Sequence, residues 1–384
     1  LGGGARLLRG EEAVGPLSED LGFGIAEKAF AGRAPRADPT VGVGHEDGGV
    51  AALPRDDVQI AADVLDRAGR RQPAAASARN ITRLFAAPGA SACRRATVCT
   101  TGTQRPVARD SGVLNLIPNA GVHVATRAQC SPNVFRTSFT NSQPTLALGK
   151  AMVERGHKKA VWITWNYAAG EEAYEGFEKS YTEAGGTIVK KLGLPFPNVE
   201  FQALLTEIAS LRPDAVACFF AGGGAAKFIR DYAAAGLKDK IPLWGSGFLT
   251  EGVLDAAGPA AEGIMTTMHY ADSLDTARNR QFRTAYATSF KMQPDVYAVQ
   301  GYDSGQLLAQ GIAAVKGDIG NKKALYQAME TQTIDSPRGK WTMSKAHNPV
   351  QDIYLRRVEN KENKVLGVAA KALADSGAGC KMGA

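Results

Sequence analysis

Hydrophobic and polar positions follow a regular succession from Val113 onward, where short apolar runs are separated by amphipathic stretches. The apolar runs predict buried strands at 113–117, 134–139, 159–165, 187–189, 214–220, 241–244 and 263–268. The amphipathic stretches predict helices at 141–155, 171–184, 201–211, 225–235, 276–290, 295–315 and 322–331, the first with Asn141 as its N-cap. Strands that alternate with helices indicate an α/β protein with a parallel sheet covered by helices on both faces.

The last part of the chain predicts a different arrangement. An extended segment at 334–341 precedes a strand at 351–358, and a second strand at 364–368 pairs with it across a hairpin turn at 359–363. The mostly helical region at 276–331 lies between these strands and the earlier ones. We therefore expect the chain to leave the middle lobe, visit the first lobe and return.

Loops at the ends of the predicted strands carry small polar and aromatic residues. In open α/β sheets, ligands bind at the carboxyl ends of the strands. The turn at 119–121 and the loops at 166–170, 221–224 and 245–248 occupy such positions, and they suit a small, partly apolar solute. Asn119, backbone N–H groups and helix N-termini are available for a carboxylate. The aromatic candidates, each of which alone is more often a core residue, are Trp165, Tyr167, Phe220, Phe248 and Tyr270.

The sequence offers little support for an enzyme. The glycines at 222–224 follow a strand and open a helix, as a phosphate cradle does, but the spaced GxGxxG fingerprint and a P-loop lysine are absent. The histidines are scattered and form no clear Ser-His-Asp set. Glu171 and Glu172 are adjacent, so their side chains diverge on a helix, and a solvated helix start explains them better than acid–base catalysis. We predict no catalytic residue, no cofactor and no metal site.

Composition and charge exclude several classes of protein. The chain has 384 residues, of which 44% are hydrophobic, enough for sizeable cores in two domains. The net charge of +7 is modest and is not gathered into a basic tract, so we do not expect nucleic-acid binding. No apolar run reaches the roughly 20 residues that a membrane helix needs. No secretory signal is visible after Leu1, an absence that does not exclude export.

The five cysteines lack the spacing of a zinc site and lie at positions 93, 99, 130, 218 and 380. Cys218 lies in an apolar strand, which predicts an inert core thiol. Cys130 lies in a turn and Cys380 in a Gly-rich tail, so both are exposed enough to pair. A Cys130–Cys380 disulfide is therefore a hypothesis, and it would imply an oxidising compartment.

Residues 1–108 differ in composition from the rest of the chain. They are rich in Arg, Ala, Gly and Pro, Lys28 is the only lysine before Lys150, and no tyrosine precedes Tyr167. One interpretation is a basic disordered arm or an Ala-rich domain with weak signals. The other is a reading-frame slip in a GC-rich gene, because such codons yield Arg, Ala, Gly and Pro when they are read out of frame. We favour the slip for much of this region.

Several segments between about Val107 and Met382 resemble, in order, the Leu/Ile/Val-binding family of ABC-transporter solute-binding proteins, which have the periplasmic binding fold type I. The branch that they resemble most is often linked to aromatic acids. The matching segments are LIPNAG, RAQCSPNVFRTSF, WNYAAGEEAYEGF, PFPNVEFQALLTEI, FFAGGGAAKFIRDYAAAGLKD, GSGFLTEGVLDAAG, DVYAVQGYDSGQLL, IDSPRG, SKAHNPVQDIYL and GCKM.

The resemblance implies two doubly wound parallel-sheet lobes, joined by three crossovers, that close on a ligand. The crossovers would lie near 136–139, 268–272 and 335–342. We accordingly predict that 1–138 and 269–338 form lobe I, and that 139–268 and 339–384 form lobe II with the C-terminal tail. The resemblance also implies a monomer in the periplasm that delivers its ligand to the permease subunits of an ABC importer.

The resemblance assigns candidate ligand contacts to four loops. The PNAG turn would give Asn119, Ala120 and Gly121 to the carboxylate of the ligand. The WNYAAG loop would give Tyr167 or a neighbour, and the other two loops would contribute Phe220 or Ala221, and Gly247 with Phe248. Trp165 and Tyr270 complete the set from the aromatic pattern.

The chain also departs from the family pattern. A member should open with an apolar strand and a Thr/Ser-Gly loop, and later carry a Gly-Pro-x-Ser-Ser-like loop, and neither can be placed before Val107. Aromatic carboxylates and branched-chain amino acids both fit as ligands, and the lack of a clear acidic partner for an α-amino group favours aromatic acids. A sensor on the same fold and a nucleotide-dependent doubly wound enzyme are the alternatives.

Overall fold

The computed structural model describes Arg109 and residues 112–382. The interpretation of residues 1–108 as an out-of-frame segment, and the cysteines at 93 and 99, lie outside the described residues. Within the described part, the predicted α/β class is confirmed, since helices and strands alternate through most of it.

The strands and helices follow the predicted succession closely. In chain order the strands are β1 Asn115–Ile117, β2 Val134–Arg136, β3 Lys159–Asn166, β4 Thr187–Pro195, β5 Ala215–Phe219, β6 Leu243–Ser246, β7 Met265–Met268, β8 Thr333–Ser336, β9 Gly339–Met343, β10 Pro349–Glu359 and β11 Glu362–Leu373. The helices are α1 Ser142–Glu154, α2 Ala168–Glu183, α3 Gln202–Leu211, α4 Gly222–Ala234, α5 Leu254–Ala257, α6 Ala277–Phe290, α7 Val296–Ala314 and α8 Lys322–Glu330.

The larger sheet is parallel at one side and antiparallel at the other. Its strand order is β4-β3-β5-β6-β7-β10-β9-β8, and β11 pairs with β10 as a further strand. Strands β4, β3, β5, β6 and β7 run parallel to their neighbours, whereas β10 runs antiparallel to β7. The smaller sheet consists of β1 and β2, which are parallel. The carboxyl ends of β3, β5, β6 and β7 therefore lie at one edge of the larger sheet.

Two apolar cores cover the faces of the larger sheet. Along β3, Val161, Ile163 and Trp165 belong to one core, and Ala160 and Trp162 belong to the other. This division follows from the two-residue period of a strand, which sends successive side chains to opposite faces. Because both faces of β3 are buried, its sequence is a continuous apolar run, and this run is what predicted a strand at 159–165.

A third core joins parts of the chain that are distant in sequence. Leu114 and Leu116 at the first strand and Phe135 on β2 pack with Leu325 on α8 and Trp341 on β9. The chain therefore returns to the β1–β2 region after it has formed the parallel strands β3 to β7 of the larger sheet, as the order of the elements led us to expect. The lobe limits at 138, 268 and 338 stay predictions.

Three local features differ from the sequence predictions. The segment 334–341, predicted to be simply extended, is a hairpin in which β8 and β9 pair from Thr333 with Thr342 to Ser336 with Gly339. Strand β4 was predicted to end at 189, but it continues to Pro195. The prediction stopped too early because the polar pair at 190–191 is exposed and interrupts the apolar run. Asn141 occupies the N-cap of α1, but its side chain does not cap the helix. It donates instead to Glu172 Oε2 at 2.8 Å.

The C-terminal tail is tied to the loop that precedes β2. A disulfide joins Cys130 and Cys380, which are separated by 250 residues in sequence. Close to it, Arg127 contacts the carboxylate of Asp375 through its Nε atom at 3.2 Å and its Nη2 atom at 2.9 Å. Cys218 is a buried free thiol on β5, as the sequence predicted.

Candidate functional site

The loops at the carboxyl ends of four neighbouring strands gather the candidate residues at one edge. Tyr167 follows β3, Ala221 follows β5, Phe248 follows β6 and Tyr270 follows β7. Tyr167 and Ala221 are also the N-caps of α2 and α4, and neither side chain bonds to the first turn of its helix. The N–H groups of these two first turns are consequently available to an anion at this edge.

One aromatic cluster lies at the ends of β3 and β5. The ring of Tyr167 stacks on Phe196 at 5.0 Å and lies 6.4 Å from Phe219. Trp165 meets Phe196 at 5.3 Å and Phe220 at 4.9 Å, both edge to face. Phe196 is 44% exposed, so this cluster presents aromatic surface. Phe196 was not predicted from the sequence, because a lone phenylalanine beside a proline has no recognisable pattern.

Trp165 and Phe220 occupy the core side of that cluster. Phe220 is fully buried, with Phe201 at 5.3 Å and Phe228 at 4.6 Å. The indole N–H of Trp165 donates to the carbonyl oxygen of Asn198 at 2.7 Å. Both rings therefore support the aromatic surface from below. A Cβ atom on Gly224 would lie 2.5 Å from the Trp165 ring, so this glycine allows close packing of α4 on the sheet.

A second aromatic cluster joins β6, β7 and the segment after β2. Phe139 lies 5.0 Å from Phe248 and stacks on His269 at 5.4 Å with an interplanar angle of 22°. Tyr270 is buried nearby, and its hydroxyl group is 3.1 Å from Asn279 Oδ1. Phe139 and His269 were missed in the sequence. Phe139 was placed at the end of a strand and in the predicted crossover at 136–139, and His269 in the predicted crossover at 268–272, but neither was predicted to be a site residue, because a single histidine or phenylalanine has no sequence signal of its role.

The turn at 119–121 is held in place by its own polar groups. Asn119 Nδ2 donates to Gln300 Oε1 at 2.8 Å. The carbonyl oxygen of Ala120 accepts from Arg136 Nε at 2.9 Å, and that of Gly121 accepts from the backbone N–H of Asn141 at 2.9 Å. The carbonyl oxygen of Asn119 accepts from the hydroxyl group of Ser138 at 3.1 Å, so the described contacts use all three carbonyl oxygens of the turn. Its groups for a carboxylate are the backbone N–H groups and the second hydrogen of the Asn119 amide.

Arg356 fixes the loops after β6 and β7. Its fully buried guanidinium donates to the carbonyl oxygen of Gly247 at 3.1 Å and to that of Tyr270 at 2.9 Å. It also forms an ion pair with Glu251. Burial raises the pKa of Glu251, and the positive charge of Arg356 opposes that rise. Gly247 cannot carry a side chain here, because a Cβ atom would lie 2.7 Å from Arg356 Nη2.

A second buried arginine ties the segment after β2 to the β8–β9 turn. Arg338 donates to the carbonyl oxygen of Thr137 at 2.6 Å and to that of Ser138 at 3.1 Å. Its Nε atom is 2.8 Å from Asp303 Oδ2, and both side chains of this ion pair are buried.

The imidazole of His269 is neutral. Burial, together with the positive charges of Arg338 and Arg356, holds the pKa of His269 well below its usual value.

The described residues contain neither a cluster of metal ligands nor a membrane-spanning helix. Among residues 112–382, no group of three His, Cys, Asp or Glu side chains is placed to hold a metal ion. No helix in this part of the chain combines the length and the apolar character needed to cross a membrane.

Known proteins resemble the chain in both sequence and structure. An ABC-transporter solute-binding protein from R. palustris, solved in complex with benzoate, is 53% identical, with 72% of this chain and 76% of that one covered and a TM-score of 0.69. The Leu/Ile/Val-binding protein homolog 6 of Brucella abortus is 29% identical over 265 residues, which are 67% of each chain. A leucine-binding protein from Thermotoga maritima is 19% identical, covers 69% of this chain and 75% of its own, and shares the fold with a TM-score of 0.61.

The sequence also matches the family described as "Periplasmic binding protein" over residues 47–363. This match extends upstream of Val107, into the segment that composition sets apart. The solved relatives share the predicted type I fold of this family, and they are solute-binding proteins. The match covers most of the sequence, and the chain therefore belongs to the periplasmic binding protein family.

Proposed function

We propose that the protein captures an aromatic carboxylate of the benzoate class between its two lobes and delivers it to the permease of an ABC importer. The strongest support is the solute-binding protein from R. palustris that is 53% identical and was solved with benzoate. Two other R. palustris relatives, 31% and 26% identical, were solved with 3,4-dihydroxybenzoic acid and p-hydroxybenzoic acid. By the lobe limits predicted from the sequence, the turn at 119–121 and Tyr270 belong to lobe I, and Tyr167, Ala221 and Phe248 belong to lobe II. A ligand that contacts these residues would therefore lie between the lobes.

The structural observation that supports the ligand class is the pairing of two buried carboxylates, Glu251 and Asp303, with arginines. A free amino acid needs an anionic partner for its ammonium group. Glu251 is paired with buried Arg356, and Asp303 is paired with buried Arg338. If either acid bound an ammonium group instead, its arginine would stay buried without a counter-charge. Such an unpaired buried charge costs several kcal/mol, so neither acid suits an ammonium group. An aromatic carboxylate needs N–H donors and ring contacts, which this edge offers.

The proposed mechanism is closure of two lobes around the ligand. The carboxylate would bind backbone N–H groups of the turn at 119–121 and of the first turns of α2 and α4. The ring would pack against Tyr167, Phe248 and Tyr270. A ligand that contacts both lobes binds the closed state more tightly than the open one, and the closed population rises by that difference in affinity.

We further propose that the protein works as a monomer in the periplasm and that it carries out no catalysis. The Cys130–Cys380 disulfide suits an oxidising compartment. The family and the solved relatives are solute-binding proteins, which supports the absence of a catalytic role. Size-exclusion chromatography with light scattering would test the monomer, and a dimer at micromolar concentration would contradict it.

The test of this function is calorimetric titration of benzoate into wild-type protein and into the Phe248→Ala variant. Loss of a buried ring that contacts the ligand removes apolar burial, so we expect affinity to fall by one to two orders of magnitude, roughly 1.5–3 kcal/mol. Phe290→Ala, which deletes a ring at the end of α6, is the matched control and should bind as the wild type does. Equal affinity in the Phe248 variant would remove Phe248 from the site, and no binding by the wild type would refute the ligand class.

A further inference from the structure

We propose that His269 selects the ligand by donating a hydrogen bond from its Nδ1–H group to the ligand's carboxylate, with Gln300 positioning the imidazole. The inference deepens the proposed function and rests on it. It assigns a role to a residue that neither the loop pattern nor the family resemblance singled out. Three observations carry it: the tautomer, the unpaired nitrogen and the place of the residue in the fold.

The tautomer follows from a chain of hydrogen bonds. Asn119 Nδ2 donates to Gln300 Oε1 at 2.8 Å, which identifies the other terminal atom of Gln300 as its amide nitrogen. That nitrogen lies 3.2 Å from His269 Nε2. An amide nitrogen can only donate, so His269 Nε2 must accept. A neutral imidazole that accepts at Nε2 carries its proton at Nδ1, and the low pKa of this group agrees with the neutral form.

The Nδ1 atom has no partner among the residues that the structure describes. His269 is fully buried, and its Nδ1 atom bonds to no acceptor there. A buried donor without an acceptor is unfavourable, because it has given up its hydrogen bonds to water. Gln300 is 1% exposed, so the amide that holds the ring is enclosed as well. The arrangement thus keeps a rigid donor ready for an acceptor.

The position of His269 points to the ligand as that acceptor. It directly follows Met268, the last residue of β7, at the edge where the candidate loops meet. Its ring stacks on Phe139, which in turn contacts Phe248. Through Gln300 it is linked to Asn119 in the turn proposed for the carboxylate. A carboxylate only accepts hydrogen bonds, whereas an ammonium group only donates them, so an N–H donor here favours the former.

Binding by variants of His269 tests the proposal. His269→Phe keeps a ring against Phe139 but removes the donor, and we expect at least tenfold weaker benzoate binding by calorimetry. His269→Asn keeps an amide donor near the Nδ1 position and should recover part of the loss. His157→Phe, before the amino end of β3, is the matched control and should bind as the wild type does. Benzoate binding by His269→Phe within twofold of the wild type would overturn the proposal.

Nitrogen NMR of the wild-type protein provides a second test that needs no variant. The His269 spectrum should show a proton on Nδ1 and none on Nε2, and benzoate should move the Nδ1–H resonance downfield and slow its exchange. A proton on Nε2, or an Nδ1–H resonance that ignores bound benzoate, would overturn the inference alone. A wild-type protein that binds no benzoate would overturn the proposed function, and this inference with it.

Discussion

Single buried polar side chains hold the candidate site together. Arg356 joins the loops after β6 and β7 through the carbonyl oxygens of Gly247 and Tyr270. Arg338 performs the same task for Thr137 and Ser138 in the segment after β2. Each guanidinium is enclosed and is balanced by one carboxylate. The geometry of the edge therefore depends on a few ion pairs whose partners are far apart in sequence.

Arg356→Met should destabilise the protein strongly. The change leaves the Glu251 carboxylate buried without its counter-charge, and breaking such a pair costs about 3–5 kcal/mol. Chemical denaturation measures the loss. Arg357→Met, at a half-exposed neighbouring position, is the matched control and should change stability by less than about 1 kcal/mol. An equal loss of unfolding free energy in both variants would contradict the stabilising role of the ion pair between Arg356 and Glu251.

The stability of the folded chain should fall below neutral pH because of His123. Burial is the largest cause that lowers the pKa of His123 from 6.5 to about 4, and the charge of Arg127 adds to it. Its Nε2 atom accepts the backbone N–H of Ser142 at 3.3 Å, and a proton there would break that bond. Between pH 6.5 and 4 the unfolded chain binds a proton at this histidine and the folded chain does not. The free energy of unfolding therefore falls as pH falls through this window, by up to roughly 3 kcal/mol.

Melting temperatures of the wild type and of His123→Gln, taken from pH 7 down to pH 4, check this prediction. The variant has no group that titrates at this position, so its melting temperature should depend less on pH. A variant whose melting curve keeps the full wild-type slope would contradict the assignment to His123.

The residue scale is where the sequence predicts least. The contact of Asn119 with the carboxylate stays a prediction, and the contact of its amide nitrogen with Gln300, which lies 181 residues away, is one that no local pattern indicates. Phe139, His269 and Gln300 carry no local pattern, because their roles arise from contacts between distant segments. Residue type and loop position could indicate the edge of the sheet, but not which side chains the fold would join there.

Helices and strands were largely predictable, because burial imposes a period on the sequence. The two-sided burial of β3 produced an apolar run, and the single buried stripe of α2 produced a helical pattern. The prediction was poorest where an element is exposed. Lys190 and Lys191 in the middle of β4 face solvent and interrupt its apolar run, so its buried end at Leu192 and Leu194 was not predicted. The β8–β9 hairpin turns at Pro337 and Arg338 without the usual hairpin signal.

Two adjacent glycines at the start of α4 should respond differently to alanine. A Cβ atom on Gly224 would lie 2.5 Å from the Trp165 ring, whereas one on Gly223 would meet nothing within 4 Å. Gly224→Ala forces the indole or the helix to move, which typically costs about 1–3 kcal/mol. Gly223→Ala, the matched control, should be neutral or slightly stabilising. Thermal unfolding distinguishes them, and equal stability of both variants would contradict the close packing of α4 on Trp165.

The tail that follows β11 should stabilise the protein through its disulfide. Removal of both Cys130 and Cys380 by serine substitution should lower the free energy of unfolding by about 2–5 kcal/mol, largely because the unfolded chain becomes less constrained. Peptide mapping of the oxidised wild type should recover a peptide pair linked through these two cysteines. Alkylation of both thiols without prior reduction would contradict the bond.

The described part of the molecule was predictable in outline, because element order and ten family-like segments agree with one fold. The third core joins Leu114 and Phe135 to Leu325 and Trp341, so the predicted return of the chain is explained by apolar packing. Residues 1–108, which were predicted to open lobe I, fall outside the described residues, although the family match begins at residue 47. No ligand contact was predicted from residues 1–108, since their Arg-, Ala-, Gly- and Pro-rich composition shows no strand or loop pattern of the family.

The most direct test of the central claim is thermal unfolding of this chain with benzoate and, separately, with leucine. A ligand that binds only the folded state stabilises it by about 2.7 kcal/mol at a hundred times its dissociation constant, which raises the melting temperature by several degrees. We predict a clear rise with benzoate and none with leucine. A rise with leucine alone, or no rise with either ligand, would contradict the account of a protein that captures aromatic carboxylates.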